Sequence, residues 1–372
     1  MMRPEISATS ASGNLSVPEL VESLLNRAER VIVGQRENME MVLLALICGG
    51  HILLEGVPGT AKTLTARTVA RLLQMDCKRI QFTPDLMPSD ILGTNVFNLQ
   101  TSRFEFRPGP VFTDILVADE INRTPPKTQS ALLEVMEEKT VTIDGISHPL
   151  SELFTVVATQ NPVEYEGTYR LPEAQLDRFL LKLNITFPPP AEEDRILRLY
   201  QGRAGLGHPL DILGPAPTTK IEDRAVGWAE SSEPTSARKV GSEDSTHPTN
   251  PRKEEGALPG VSRAQILAAR QALAGINAKM EVCSYIGQIV RHTRDLDKVL
   301  MGASSRAAVH LLQAAKARAL MSGREFVIPD DVKRVCRPVL RHRVTLQPDA
   351  YVEGFTPDDI LTTALEKVEV PR

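Results

Sequence analysis

The sequence predicts an α/β fold: a core built on a five-stranded parallel sheet with two hairpin insertions, followed by a smaller all-α domain. Three observations predict it. An apolar run, His51-Ile52-Leu53-Leu54-Glu55, leads into a glycine-bearing loop and then into residues 64–73, whose apolar positions recur at helical spacing. Four more strand-like runs, 78–83, 114–120, 153–161 and 180–187, follow with helical segments between them. From residue 261 onward the apolar periodicity is helical.

Taken in order, residues 1–16 are rich in Ser, Thr and Ala and read as a mobile tail. Val17-Pro18-Glu19 opens a helix carrying Leu20, Leu24 and Leu25. Residues 30–35 read as an extended piece ending at Gly34-Gln35, and a helix over 37–48 leads into the first strand. Gly56-Val57-Pro58-Gly59-Thr60-Ala61-Lys62-Thr63 then completes strand, loop, Lys-Thr and helix, the P-loop arrangement. Such a loop wraps phosphates because its backbone N–H groups turn inward and no bulky side chain intervenes. The helix that follows adds unpaired N–H groups and the positive end of its dipole. Lys62 is placed to reach the β- and γ-phosphates of ATP, and the Thr63 hydroxyl to ligate Mg²⁺. Ala61 stands where the usual pattern has Gly. A residue at a helix start need not have positive φ, so the methyl group is expected to be tolerated. In many ATPases the segment equivalent to Gly34-Gln35 passes beside the adenine ring; a plain packing role is the equal alternative.

Residues 95–99 and 103–106 alternate apolar and polar side chains around Gln100-Thr101-Ser102, a hairpin pattern. Asp114 to Glu120 is an apolar strand ending in two carboxylates. Asp119 is the candidate holder of Mg²⁺, directly or through water, and Glu120 the general base for the attacking water. Residues 128–139 read as a helix, and 140–146 as a second hairpin turning at Asp144-Gly145. The run 153–161 ends in polar residues, where open parallel sheets keep their ligands. Asn161 could there orient the lytic water or touch the γ-phosphate, or simply serve as a turn residue before Pro162. Pro188-Pro189-Pro190 marks a boundary between a core, 17–188, and a helical part, 189–372. Residues 214–260 lack apolar periodicity and are dominated by Ser, Thr, Pro, Glu and Lys; they read as a largely disordered insert.

Composition narrows the function. A net charge of −4 disfavours a dedicated nucleic-acid binder. Cys48, Cys77, Cys283 and Cys336 form no C-x-x-C pair, the pattern of free thiols in a reducing compartment. The longest apolar run, 41–48, is too short to span a bilayer, and residues 1–16 lack a signal sequence, so a cytoplasmic protein is expected.

With these segments placed, the chain resembles the MoxR-type AAA+ ATPases, of the branch with a helix-2 insert and a pre-sensor-1 hairpin. The stretches that carry the likeness are GGHILLEGVPGTAKT, ADEINRTPPKTQSALLEVMEE, ATQNPVEYEGTYRLPEAQLDRF and GASSRAAVHLLQAAKARALMSGREFVIPDDV, covering about 28–187 and 261–343. Arg170 and Ser305 stand where proline is expected in this family; neither position is catalytic. The resemblance implies roles that spacing does not. Asn161 matches sensor 1, Arg178 the arginine finger that reaches the γ-phosphate of the neighbouring subunit, and Arg306 sensor 2 of the helical lid. It implies hairpins facing the pore of a ring, most often a hexamer. It also implies ATP hydrolysis coupled to remodelling or maturing a partner protein, commonly one with a von Willebrand factor A domain and sometimes with metal-cofactor insertion.

Taken alone, Arg178 beside Asp177 would equally suit a salt-bridged surface arginine, and lid arginines such as Arg306 also cap helices. A metal-chelatase motor subunit is a close alternative. A nucleic-acid motor is another, disfavoured because the hairpin tips offer only Arg103 as a cation. A non-hydrolysing scaffold fits poorly with the intact set Lys62, Asp119, Glu120 and Arg178.

Overall fold

Helix α1 (Val17–Ala28) turns Leu20, Val21, Leu24, Leu25 and Ala28 inward, the stripe its apolar spacing dictates. The structure, a computed structural model, describes residues 15–162, 168–201, 209–213, 222–223 and 261–371. The expected extended piece at 30–35 is instead a compact turn. The N–H groups of Val31 and Ile32 donate to the Ala28 carbonyl at 2.9 and 2.8 Å, and Val31, Ile32 and Val33 are all buried. No strand among the described residues lies alongside to pair with them, so a turn that buries all three satisfies both backbone and side chains. Helix α2 (Arg36–Cys48) ends at Gly49, whose φ of +68° suits glycine.

The core then alternates strands and helices: β1 (His51–Glu55), α3 (Lys62–Leu72), β2 (Cys77–Gln81), α4 (Pro88–Leu92), β3 (Gly93–Asn98), β4 (Arg103–Pro108), β5 (Ile115–Asp119), α5 (Pro126–Glu138), β6 (Thr140–Ile143), β7 (Ile146–Pro149), β8 (Thr155–Gln160), α6 (Glu173–Leu176), β9 (Phe179–Asn184) and α7 (Pro190–Tyr200). The five expected strands pair in parallel in the order β2-β5-β8-β1-β9. A sixth, two-residue strand, β10 (Glu222–Asp223), adds to the edge beside Lys78 and Arg79. It belongs to the segment expected to be a disordered insert; the rest of 214–260 lies outside the described residues, as does the tail 1–14. The central strands β5 and β8 are buried almost throughout, as parallel strands covered on both faces must be.

Both hairpins form, β3 with β4 and β6 with β7. They touch through Asn95, whose Nδ2 donates to Asp144 Oδ2 at 2.5 Å. Among their exposed side chains are large apolar ones: Leu99 is 85% exposed, Phe104 72% and Ile146 61%.

The C-terminal part comprises α8 (Arg263–Ala274), α9 (Met280–His292), β11 (Val299–Met301), α10 (Ser305–Met321), α11 (Pro329–Leu340), β12 (Thr345–Leu346), α12 (Pro348–Val352) and α13 (Pro357–Lys367). It is helical apart from the antiparallel ribbon β11–β12, which the sequence reading did not anticipate. Its buried side chains join those of α1, α2 and α3 in one continuous cluster. Polar anchors fix where it docks. Arg263 pairs with Asp114 at 2.9 Å, just before β5. Arg270 Nε donates to the Leu46 carbonyl at 2.9 Å, and Arg343 Nη2 and His342 Nε2 donate to the Phe179 carbonyl at 2.7 and 2.9 Å. Asp114 and Phe179 stand at the N-terminal ends of their strands. The helical part therefore packs against the edge of the sheet opposite the P-loop, which follows the C-terminal end of β1.

Candidate functional site

The loop after β1 is shaped by close approach. A Cβ at Gly56 would lie 2.3 Å from the Ile185 carbonyl oxygen, so no larger residue fits there. Gly59 has φ +85°. Thr60 Oγ1 donates to the Val57 carbonyl at 2.8 Å and tightens the loop. Ala61 is the surprise: its φ is +63° and ψ +23°, in the left-handed region. The expectation that this position needs no positive φ is thus corrected. The chain must reverse its winding between loop and helix, and a left-handed residue does this; glycine there would be free of the Cβ clash that alanine bears. Lys62 opens α3, and its Nζ donates to the Gly56 and Val57 carbonyls at 2.5 and 2.8 Å. The ammonium therefore lies over the loop it is expected to serve.

Two carboxylates meet the loop from β5. Thr63 Oγ1 donates to Asp119 Oδ1 at 2.9 Å, and Thr159 Oγ1 donates to the same oxygen at 3.1 Å. Arg79 Nε binds the other oxygen, Oδ2, at 2.6 Å. Glu120 has φ +57°, and its N–H donates to Thr159 Oγ1 at 2.9 Å. Its Oε2 accepts from Gln81 Nε2 at 2.7 Å and pairs with Arg123 Nε at 3.1 Å. Asn161 is buried at the end of β8.

Pro58 to Leu64, Arg79, Gln81, Asp119, Glu120, Thr159 and Asn161 line one cavity of about 400 Å³. A neighbouring cavity of about 490 Å³ is lined by Val33, Gly34, Gln35, Asn184 and Thr186 among others. The two adjoin through Gln35, whose Nε2 donates to the Thr60 carbonyl at 3.1 Å. Gln35 Oε1 is buried without a protein partner, a polar atom ready for a ligand donor. These residues fit a nucleotide with a hard cation: an amide-lined cavity, a P-loop, a lysine, and the oxygens of Thr63 and Asp119.

Arg178 and Arg306 are not in this site. Phe179 stands opposite His51 in the β1–β9 pairing, so Arg178 sits at the start of β1. The P-loop begins past Glu55, four residues farther on, about 13 Å along the strand. Arg178 Nε pairs with Glu137 Oε2 at 3.1 Å, and Arg306 Nη2 with Glu137 Oε1 at 3.2 Å. The three line a small cavity with Gly49, Gly50 and His310. Burial holds His310 down at about 4, with Arg343 adding to the effect, so the ring is neutral there. Arg343 anchors the backbone beside Arg178 by binding Asp177 Oδ1 at 2.5 Å and the carbonyls of Asp177 and Phe179.

Sequence reasoning missed Arg79, Gln81, Arg123, Thr159 and Glu137. For the first two the signal was present. Gln81 pairs in register with Asp119, and residues 79 and 81 share a face of β2, so placing that strand beside β5 puts both in the cavity. Arg123 and Glu137 depend on a turn and on tertiary packing, which no local pattern announces.

Comparison with known proteins agrees with this architecture. The family described as "ATPase family associated with various cellular activities (AAA)" matches residues 51–181, and an AAA lid domain matches 291–364. The Bacillus subtilis protein YeaC is 39% identical over 95% of both chains. The Mycobacterium tuberculosis protein named Chaperone MoxR1 is 36% identical, over 97% of this chain and 85% of that one. A crystal structure of a candidate ATPase from Cytophaga hutchinsonii superposes with a TM-score of 0.75 at 35% identity, over 96% of both chains. Matching lid, core and order throughout, this chain belongs to the MoxR-type family of AAA+ ATPases.

Proposed function

We propose that the chain hydrolyses ATP to ADP and phosphate, with Mg²⁺, in a site shared between neighbouring subunits of a ring, and uses the cycle to remodel a partner protein. The observation that carries this reading is the division of the candidate residues between opposite edges of one sheet. Lys62, Thr63, Asp119, Glu120 and Asn161 stand at the C-terminal edge, and Arg178 and Arg306 at the other, linked through Glu137. One chain cannot bring both sets to one phosphate, whereas a ring places the second edge of each subunit against the first edge of the next.

Within the site the P-loop amides and Lys62 bind the phosphates, and the Gly34–Gln35 cavity receives the base. Thr63 and Asp119 would hold the cation, which would supply positive charge to offset the negative charge of the phosphates. Glu120, kept in place by Gln81 and Arg123, accepts the proton of the attacking water, and Asn161 orients that water. Arg178 and Arg306 of the adjacent subunit stabilise the transferring phosphoryl group.

A hexamer working in the cytoplasm fits the family resemblance. A protein as the object of the work is supported by the relative named as a chaperone and by the apolar hairpin surface of Leu99, Phe104 and Ile146. That surface suits a polypeptide better than a phosphate backbone, which places a nucleic-acid or chelatase motor second. The client class in this reading is a protein with a von Willebrand A domain, served in its maturation or metal loading. No helix among the described residues is long and apolar enough to cross a membrane.

The test is a pair of variants. Lys62→Ala should lose nucleotide binding, whereas Glu120→Gln should bind ATP and fail to turn it over. Unchanged hydrolysis by Glu120→Gln would remove Glu120 from the chemistry and with it this reading of the site.

A further inference from the structure

Asp119 has both carboxylate oxygens engaged by protein. Oδ1 accepts the hydroxyls of Thr63 and Thr159 at 2.9 and 3.1 Å, and Oδ2 accepts Arg79 Nε at 2.6 Å. The Asp119 side chain is 4% exposed and that of Arg79 36%. Nothing in the nucleotide-binding reading calls for a guanidinium on this carboxylate. A divalent cation requires a carboxylate oxygen with a free lone pair, and a guanidinium on the same group repels it. Of the three partners, Thr63 can turn its hydroxyl and ligate through oxygen, and Thr159 is buried with its position fixed by the Glu120 N–H. Arg79 is the one charged partner, and its side chain reaches solvent, so it is the group that a divalent cation displaces.

We propose that Arg79 is a resident counter-ion of Asp119 that competes with the divalent cation, so that arginine and metal occupy this carboxylate exclusively of one another. The proposal rests on the reading of Asp119 as the metal-holding residue. It has two consequences of opposite sign. With metal absent, Arg79 neutralises Asp119 and spares incoming phosphates the repulsion of a bare buried carboxylate. With metal present, displacing Arg79 subtracts from the metal's affinity. A second contact spreads the effect: Arg79 Nη2 also donates to Gln81 Oε1 at 3.2 Å, and Gln81 holds Glu120, so departure of Arg79 releases one tether of the Gln81 side chain.

The experiment measures the affinity of a fluorescent ADP analogue for the full-length protein, in EDTA and across a Mg²⁺ titration, by anisotropy. For Arg79→Gln the affinity in EDTA should fall, and the Mg²⁺ concentration that gives half of the metal-dependent gain should drop about tenfold. The ratio of affinities with and without Mg²⁺ therefore rises. Arg79→Lys retains a cation but not the planar guanidinium contact, and should fall between wild type and Arg79→Gln; it decides the matter if Arg79→Gln fails to fold. An arginine with a purely structural role would weaken binding alike in both buffers. An unchanged or reduced ratio, or an unchanged Mg²⁺ midpoint in a folded variant, overturns the proposal. Failure of the wild type to bind the analogue in either buffer overturns the nucleotide reading itself and is recognised separately, before any variant is compared.

Discussion

Arg178 is ion-paired to Glu137 across 3.1 Å, and the second oxygen of the same carboxylate takes Arg306 at 3.2 Å. One cation comes from the sheet edge and the other from α10, so this carboxylate ties the helical part to the core. The pair is only partly buried, and exposed pairs contribute little to stability. Its interest is in what it presents: two guanidiniums aimed at one anion, on the face that a ring would turn toward the next nucleotide. Removing Arg178 should leave nucleotide binding intact and lower the rate of hydrolysis by ~10³–10⁵. Isothermal titration with a non-hydrolysable ATP analogue and a phosphate-release assay on Arg178→Ala check both halves.

The left-handed Ala61 yields a stability prediction that runs against the usual cost of mutation. Alanine in this conformation costs about 1–2 kcal/mol. Glycine removes that cost but raises the entropy of the unfolded chain, worth about 0.5–1 kcal/mol. Ala61→Gly should therefore leave stability unchanged or raise it by up to about 1.5 kcal/mol, read from the urea midpoint without nucleotide. A clear loss of stability would mean that the methyl group packs favourably in a way its backbone angle does not reveal.

Gly56 should behave in the opposite sense. Its missing Cβ makes room for the Ile185 carbonyl, and a backbone atom cannot step aside as a flexible side chain can. Gly56→Ala is expected to push β1 and the segment after β9 apart and to cost about 1–3 kcal/mol, the range typical of overpacking. The same urea titration checks it, and nucleotide binding should weaken with it.

Acid should destabilise the fold before the carboxylates begin to titrate. Burial lowers His51 to about 4; its Nδ1 accepts the Val156 N–H at 2.9 Å and its Nε2 donates to the Met136 carbonyl at 3.0 Å, a pattern that only the neutral ring satisfies. Burial likewise lowers His310 to about 4 and His342 well below 6.5. In the unfolded chain each ring takes up a proton near 6.5. Between about 6.5 and 4 the unfolded state thus binds more protons, so stability is full above this window and falls as the pH drops through it. Each histidine contributes a slope of up to about 1.4 kcal/mol per pH unit. Urea midpoints at pH 7 and pH 5 should differ accordingly; equal midpoints would show that these rings are already protonated in the fold.

The strands, the P-loop and the carboxylates at the end of β5 were legible because each is a local pattern tied to a local cause. Apolar runs, alternation in the first hairpin, glycine and lysine at fixed offsets, and acidic residues at a strand end do not depend on distant partners. The turn at 30–35 was not legible, because three apolar residues in a row suit a strand or a buried turn equally until the neighbours are known. Ala61 misled for a related reason: residue type reports a backbone angle only statistically. The ribbon β11–β12 and the clasp at Glu137 join residues far apart in sequence, and only the packed chain brings them together. Arg79 stood in plain view within a strand, but its role required knowing that β2 lies beside β5.

The division of the site between two edges of the sheet is tested most directly by mixing two inactive proteins. Lys62→Ala lacks a working P-loop and keeps Arg178; Arg178→Ala keeps the P-loop and lacks the cation. Mixed assemblies contain interfaces in which a whole P-loop meets a whole Arg178. Steady-state phosphate release from the mixture should then exceed that of either variant alone and should rise with protein concentration as assemblies form. A mixture with no recovered activity, in assemblies shown by native mass spectrometry to contain both variants, would contradict the shared site, and so would full-rate hydrolysis by a wild-type monomer.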